Sequence, residues 1–392
     1  MVSRAQNNSL YISHCWQSPA RYPLTSLNQN TMSTCAANGD FLGVGWSNAS
    51  SLTRPGCQWN NQESIMPRIG INPNRGQQSQ YSPSRITLAM LTYLPNQAGY
   101  FAERLAVTRL SLDSLIANTP KPYDLIVFDN GSCPELVSYL CQLRDSGQIT
   151  FLILSSENIG KISALQVIFR AAPGEIVAYS DDDVFFLPGW LESHLKIMET
   201  YPQVGLVTGF YIRSHLRYAT QTIEAFATQP DVQVERGFLI PPELEQHYIA
   251  NMGRTAESYQ QEVSGLQDIR LTYKGLTTLA SAGHHQFIAP RQLMLSILPG
   301  WDTNLMGRMV ELENAVDQRG YLRLSTMNPV TRLLGNVIST ENAGEAQRLG
   351  LATQAGQVSK PPTGLASRLL KFPLVRRLAL GMYNRLHLLI NS

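Results

Sequence analysis

Between Arg85 and Ser180 four short apolar runs alternate with stretches of helical periodicity, and two of those runs end in acidic loops. Arg85–Thr92, Asp124–Phe128, Thr150–Leu154 and Glu175–Ser180 have the length and apolar content of buried strands. Between them fall three helical stretches. The first sets Phe101, Leu105, Thr108, Leu112 and Leu115 on one face and stops at Thr119-Pro120. The second runs from Pro134 to about Asp145, and the third covers Lys161–Ala171 and is broken by Pro173-Gly174. This alternation predicts βαβ units and a parallel sheet. Ligands of such sheets sit outside the carboxyl ends of the strands. Asp129-Asn130-Gly131-Ser132 and Asp181-Asp182-Asp183 both fall at that edge.

Beyond Trp190 the pattern is less regular. Val204–Ile212, Arg270–Tyr273, Leu276–Ala280, Gln286–Ala289 and Tyr321–Ser325 read as strands, and Glu311–Arg319 as a helix ended by Gly320. Residues 214–268 are polar and show no clear period. The chain therefore divides into an Asn-, Gln-, Ser- and Pro-rich extension over 1–84, expected to be disordered, an α/β body in two halves, 85–213 and 214–340, a polar linker over 341–363, and basic helices over 364–392.

Composition narrows the class. Charged residues are 15% of the 392, against about 25% in a typical domain. The net charge of +2 argues against a dedicated nucleic-acid binder. That total hides a split. Residues 346–392 carry seven Lys or Arg and no acid, residues 1–85 carry six and two, and the remainder holds 18 basic and 27 acidic residues. The tail, not the body, is thus suited to an anionic partner. None of the five cysteines forms a C-x-x-C pair, which excludes a zinc ribbon or a dithiol redox motif and fits free thiols in a reducing, cytoplasmic compartment. No run of about 18 apolar residues is present, and the first thirty residues lack an apolar signal core, so the sequons at Asn7 and Asn48 are expected to carry no glycan.

Asp181 and Asp183, at i and i+2 on a loop leaving a buried strand, can share one divalent cation. Hard cations take one or two carboxylates and complete their shell with water and phosphate oxygens. Three adjacent negative charges repel one another unless a cation is close, although Asp also suits a solvated turn or a helix start. Asp129 can accept from a nucleobase N–H or hold an Asx turn. Asn158-Ile159-Gly160-Lys161 precedes a helix and can meet a phosphate with backbone N–H groups and a Lys, or form an ordinary turn.

Taken in order, Thr92-Tyr93, Asp129-Asn130-Gly131-Ser132, Asn158-Ile159-Gly160, Gly174-Glu175, Asp181-Asp182-Asp183 and Leu187-Pro188-Gly189-Trp190-Leu191 make the run from Ile86 to Ile212 resemble the nucleotide-binding half of family 2 glycosyltransferases. The resemblance implies a GT-A fold, Rossmann-like, with a mostly parallel sheet sandwiched by helices. It implies a nucleotide-sugar-binding half over 85–213 and an acceptor-binding half over 214–340. Thr92 and Asp129 would contact the nucleobase and ribose, Asn158 and Lys161 would lie near the nucleotide, and Tyr93 and Asp182 would complete the nucleotide-sugar-binding set. Asp181 would face ribose and metal, and Asp183 would ligate Mn2+ or Mg2+ between the donor phosphates.

The same resemblance places the catalytic base on a helix ahead of a Gly-Tyr strand. Here Glu311-Leu312-Glu313 precedes Gly320-Tyr321, with Glu311 favoured over Glu313 and Asp302 third. One displacement at the anomeric carbon implies inversion. Met309-Val310 stands where the family motif reads Glu-Asp, and Arg332, as a fixed charge, stands beside the place of a family His. His284-His285 fall in a strand or loop of the acceptor half, and on a strand they would point to opposite faces.

Leu374, Leu378, Met382, Leu386 and Leu389 recur at helical spacing among Arg368, Lys371, Arg376, Arg377 and Arg385. Such a segment, 365–390, suits either an anionic membrane surface, peripheral to its inner face, or the acidic body itself. The expected activity is transfer of a sugar from a nucleoside diphosphate sugar to a glycan, polysaccharide or lipid-linked acceptor, as in cell-envelope polysaccharide synthesis. A catalytically inactive glycan- or nucleotide-binding relative, a scaffold that reaches membranes through its tail, and a sugar-nucleotide nucleotidyltransferase are the alternatives. The last lacks the Gly-rich basic loop that its chemistry needs.

Overall fold

The computed structural model describes residues 70–251, 255–302 and 304–351. Most of the extension expected over 1–84, and all of the basic segment 364–392, lie outside the described residues. The chain divides at Gly76. In the first unit, residues 70–76 form a turn in which the Arg75 N–H donates to the Asn72 carbonyl at 2.9 Å. Everything below belongs to the second unit, from Gln77 onward.

The first half runs β1 (Ile86–Thr92), α1 (Arg104–Ala117), β2 (Asp124–Asn130), α2 (Pro134–Asp145), β3 (Phe151–Ser155), α3 (Lys161–Ala171) and β4 (Ile176–Asp181). β1 and β2 are buried at every position, and β4 at all but its last. Strands covered on both faces read as continuous apolar runs, which is why they were visible in the sequence. After β4 come β5 (Val184–Phe186), α4 (Trp190–Thr200), β6 (Val204–Thr208), a 3-10 turn (Arg213–Arg217), α5 (Gln221–Ala227), β7 (Val232–Gly237), α6 (Pro242–Asn251) and α7 (Ala256–Glu262). The chain then adds β8 (Asp268–Tyr273), β9 (Leu276–Ala280), β10 (Gln286–Pro290), α8 (Arg291–Ile297), α9 (Met309–Gln318), β11 (Leu322–Thr326), β12 (Thr331–Leu333) and α10 (Thr340–Arg348).

Ten strands form one sheet in the order β3-β2-β1-β4-β10-β6-β11-β9-β8-β7, and β12 pairs with β5 in a second, small sheet. The expected α/β class holds, a large central sheet flanked by helices. Parallel pairing, however, is confined to β3-β2-β1-β4 and to β6-β11. The sheet is therefore mixed, not mostly parallel. Turn chemistry explains the difference: only Lys274 and Gly275, at φ 47° and 77°, join β8 to β9. A two-residue loop of that kind closes an antiparallel hairpin.

Apolar layers cover both faces of the sheet. Leu88 and Met90 of β1 pack with Leu112, Leu136 and Trp190 on one face. Their neighbours Ala89 and Leu91 pack with Leu165, Phe169, Leu312 and Val316 on the other. Two elements differ from expectation. β6 ends at Thr208, since the Gly209 N–H donates to Gln286 Oε1 at 2.8 Å instead of continuing the ladder to Ile212. The first part of the expected linker 341–363 is helical, because Ser339 Oγ accepts the Asn342 N–H at 3.1 Å as a helix cap and Ala346 is buried beside Leu334 and Val107. Among the described residues no helix is long and apolar enough to cross a membrane.

Candidate active site

Sheet register sets the first line of the site. Thr92 pairs with Asp129 and Leu91 with Asp181, so the carboxyl ends of β1, β2 and β4 share one edge. Thr92 Oγ1 donates to Asp129 Oδ1 at 3.0 Å, and the Ser132 N–H donates to Asp129 Oδ2 at 3.0 Å. Both oxygens of this buried carboxylate thus hold the strand end and the turn, the Asx role that the sequence left open. Asn130 ties the neighbouring loop: its Nδ2 donates to Asn158 Oδ1 and its Oδ1 accepts the Ile159 N–H, each at 2.9 Å.

Gly160 sits at φ 82°, and a Cβ there would lie 2.9 Å from the Asn304 carbonyl, so backbone freedom and close approach both call for glycine. The Lys161 N–H donates to the Leu305 carbonyl at 2.9 Å. At this helix start the ammonium of Lys161, not its N–H, faces the acids: Nζ donates to Asp181 Oδ2 at 2.7 Å.

Each member of the acidic triplet has its own partners. Asp181 also accepts from the Tyr179 hydroxyl at 2.6 Å, and its Oδ2 lies 3.5 Å from His285 Nδ1. Burial would raise its pKa, but Lys161 and His285 outweigh that and hold it below the usual carboxylate range. Asp182 is buried, accepts from Arg104 and from Thr108 Oγ1 at 3.0 Å, and faces the Tyr93 N–H at 3.4 Å. Burial, with Asp183 and Asp181 nearby, pushes its pKa up even against Arg104. Its carboxylate is thus engaged by two side chains of α1. Asp183 Oδ2 accepts from Arg104 at 3.1 Å, and its side chain keeps 27% exposure. The repulsion within the triplet is therefore answered by Lys161 and Arg104, cations of the chain itself. Arg332 does not take that part; it pairs with Glu341 at 2.9 Å.

Among the described residues no group of three or more His, Cys, Asp or Glu side chains is placed to hold a metal ion. Asp181 and Asp183 nevertheless offer hard oxygen donors, and the open flank of Asp183 leaves room for a cation that fills its shell from water and phosphate.

The two α9 carboxylates part company. Glu311 is exposed and pairs with Arg308 at 3.0 Å, and no contact among the described residues ties it to the triplet. Glu313 is fully buried. It accepts from Arg323 and from His284 Nδ1, the latter at 2.7 Å, and lies 3.6 Å from His215 Nδ1. Burial opposes its ionisation, but Arg323, His215 and His284 hold it well below the usual carboxylate range. The ring of His284 lies 4.5 Å from that of His285, tilted by 34°, and His285 reaches Asp181. Asp181, the two histidine rings and Glu313 thus lie in succession, while Glu311 stands apart from them. The two rings lie close together because residues 281–285 precede β10, off the strand whose alternation would have split them. Asp302 spends its Oδ1 on the Asn304 N–H at 3.0 Å, within its own loop.

Residues 101–252 match the family model described as glycosyl transferase family 2. The matched segment is about two fifths of the chain. It contains Asp129, Asn158, Lys161, Arg104 and the triplet, while β1 and the elements from β8 onward, with His284 and Glu313, lie outside the matched residues. An uncharacterised glycosyltransferase of Nostoc sp. is 26% identical over 97 residues, 25% of this chain and 30% of that protein. Among solved structures, a mannosyltransferase of Pyrobaculum calidifontis, in complex with GDP-Man and Mn2+, is 19% identical, covering 64% of this chain and 56% of that one at a TM-score of 0.35. Glucosyl-3-phosphoglycerate synthase of Mycobacterium tuberculosis is 15% identical, covering 69% and 81%, at a TM-score of 0.34. The chain thus spans under a third of the curated relative and about half of the mannosyltransferase.

Sequence reasoning missed Arg104, His215 and Arg323. Arg323 had a signal: an Arg between two leucines in an interior strand needs a buried carboxylate. Arg104 had none, since a helical Arg usually reaches solvent.

Proposed function

We propose that this glycosyltransferase domain moves a sugar from a nucleoside diphosphate sugar to a hydroxyl of a carbohydrate or lipid-linked acceptor, with Mn2+ or Mg2+ and with inversion at the anomeric carbon. One observation supports this most: Asp181 and Asp183 stand beside Lys161 and Arg104 on the edge shared by Thr92 and Asp129, inside the family-matched segment. A divalent cation held by Asp181 and Asp183 would neutralise charge on the leaving diphosphate. Lys161, a compact charge on a flexible stem, can turn from Asp181 toward a phosphate. Thr92 and Asp129 fix the floor for base and ribose, and Asn158 and Asn130 fix the adjoining loop.

The acceptor side falls in the second half of the sheet. A cavity of about 290 Å³ is lined by Phe210, Tyr211, Leu244, Tyr248 and Arg332, and the ring of Phe210 lies 6.4 Å from that of His285. Aromatic walls with a few polar groups suit a sugar or a lipid-linked sugar. The basic composition of 346–392 supports contact with an anionic surface.

Titration calorimetry with UDP, GDP, dTDP and CMP, each with and without Mn2+, tests the donor site. Metal-dependent binding of one nucleotide, lost in Asp183→Ala, is expected. A folded protein that binds none of the four would refute the donor reading.

A further inference from the structure

Glu313 is fully buried, so its carboxylate cannot meet an acceptor hydroxyl directly. Arg323 keeps it ionised from β11, and His284 Nδ1 lies 2.7 Å from its Oε1. A hydrogen bond between an imidazole nitrogen and an ionised carboxylate needs the proton on that nitrogen. Nδ1 of His284 therefore carries the proton and Nε2 is a bare acceptor, for which no hydrogen bond is found among the described residues. The His284 side chain keeps 20% exposure, and its neighbour His285 touches Asp181. The groups that face it are Glu313 from α9, His215 from the 3-10 turn, His285 from its own loop and Lys161 from α3. Burial and His285 lower its pKa to about 3, so the ring is neutral at physiological pH.

We infer that His284 is the general base of the transfer, with Glu313 as its positioning residue. This rests on the glycosyl-transfer reading above. The acceptor oxygen forms its bond to the anomeric carbon. The bond from that carbon to the phosphate oxygen breaks, and its electron pair leaves with the nucleoside diphosphate. The acceptor's hydroxyl proton passes to His284 Nε2. Glu313 holds the ring in the required tautomer and stabilises the imidazolium, as carboxylate–histidine pairs do in acyl transfer. Arg323 keeps Glu313 from taking the proton itself.

The test uses the full chain and the nucleotide selected by calorimetry. Release of nucleoside diphosphate from the matching nucleotide sugar is followed with water and with free monosaccharides as acceptors. Two variants are compared with the natural protein. His284→Asn keeps a donor toward Glu313 and loses the basic nitrogen, and His284→Ala leaves space for a free imidazole. Both should bind the nucleotide within about twofold of the natural protein, while turnover falls at least about 100-fold. Added imidazole should restore turnover to His284→Ala and not to His284→Asn. Turnover within about threefold of the natural protein in either variant would overturn the proposal, as would a loss in His284→Ala that imidazole does not restore. A natural protein that binds nucleotide yet turns over no nucleotide sugar would overturn it too. If the natural protein binds no nucleotide, the donor reading falls first and the base assignment with it.

Discussion

Lys161 Nζ lies 2.7 Å from Asp181 Oδ2, a pair that joins the start of α3 to the end of β4 across the ligand edge of the sheet. Both side chains are largely shielded from water, at 13% and 20% exposure, so the pair is stronger than a surface ion pair. Replacing Lys161 by Met removes the cation nearest the expected phosphates. Nucleoside diphosphate binding should weaken by about tenfold, equivalent to about 1.4 kcal/mol, in calorimetry with Mn2+ present. Unchanged affinity would take Lys161 out of the donor site.

Arg104 should matter to the fold before it matters to binding. It is the principal cation on buried Asp182, bonds Asp183 and donates to the Gly335 carbonyl at 3.1 Å. Arg104→Met leaves a buried carboxylate uncompensated and should cost about 3–5 kcal/mol in urea unfolding. Asp182→Asn should cost less, because Arg104 keeps Asp183 and the Gly335 carbonyl as partners and burial already weighs against a charge at position 182. Equal losses for the two variants would contradict this ordering.

Acid should destabilise the protein through His194. This ring is fully buried between the Trp190 carbonyl, 2.6 Å from Nδ1, and Gln286 Oε1, 3.3 Å from Nε2. Burial lowers its pKa to about 4. The unfolded chain binds a proton that the folded one refuses, so stability is full above pH 6.5 and is lost as pH falls toward 4. The share of His194 in the loss between pH 7 and pH 5 should be about 2 kcal/mol by denaturant titration, and His284, lowered for the same reason, adds to the total. His194→Gln should flatten that slope; a slope equal to the natural protein's would assign the acid loss to other groups.

Gly283 supports the histidine cluster from below. A Cβ at this position would lie 2.6 Å from Cε1 of His215. Gly283→Ala should displace His215, cost about 1–3 kcal/mol of stability, and lower turnover while leaving nucleotide binding intact. Full turnover in this variant would show that the cluster tolerates movement.

Much of the first half was legible because its central strands are buried on both faces. β1, β2 and β4 announce themselves as unbroken apolar runs ended by Thr92, Asp129 and Asp181, and the loops that matter follow directly. Glu313 was legible too, by a rule that motif spacing obscured. It lies four residues after Met309 and one after Leu312, on the face that α9 buries, whereas Glu311 faces outward. The pairings of Arg104 with the triplet, and of His215 and Arg323 with Glu313, join residues 78 to 98 positions apart in the first two cases. Local patterns carry no record of such meetings. The helix α10 was obscured for another reason: its sequence is polar, and it gains its place from a serine cap and one buried alanine.

Beside the small β5–β12 sheet, the Leu334 N–H, 151 positions along the chain, bonds the Asp183 carbonyl at 2.7 Å. β1, the strand between β2 and β4, begins before the family-matched segment. A fragment excised at residues 101 and 252 would lose the middle of its sheet and the clasp on its acidic loop. The stretch that matches the family model thus leaves out part of its own scaffold, and moving it into another chain would carry the acids across without the elements that aim them.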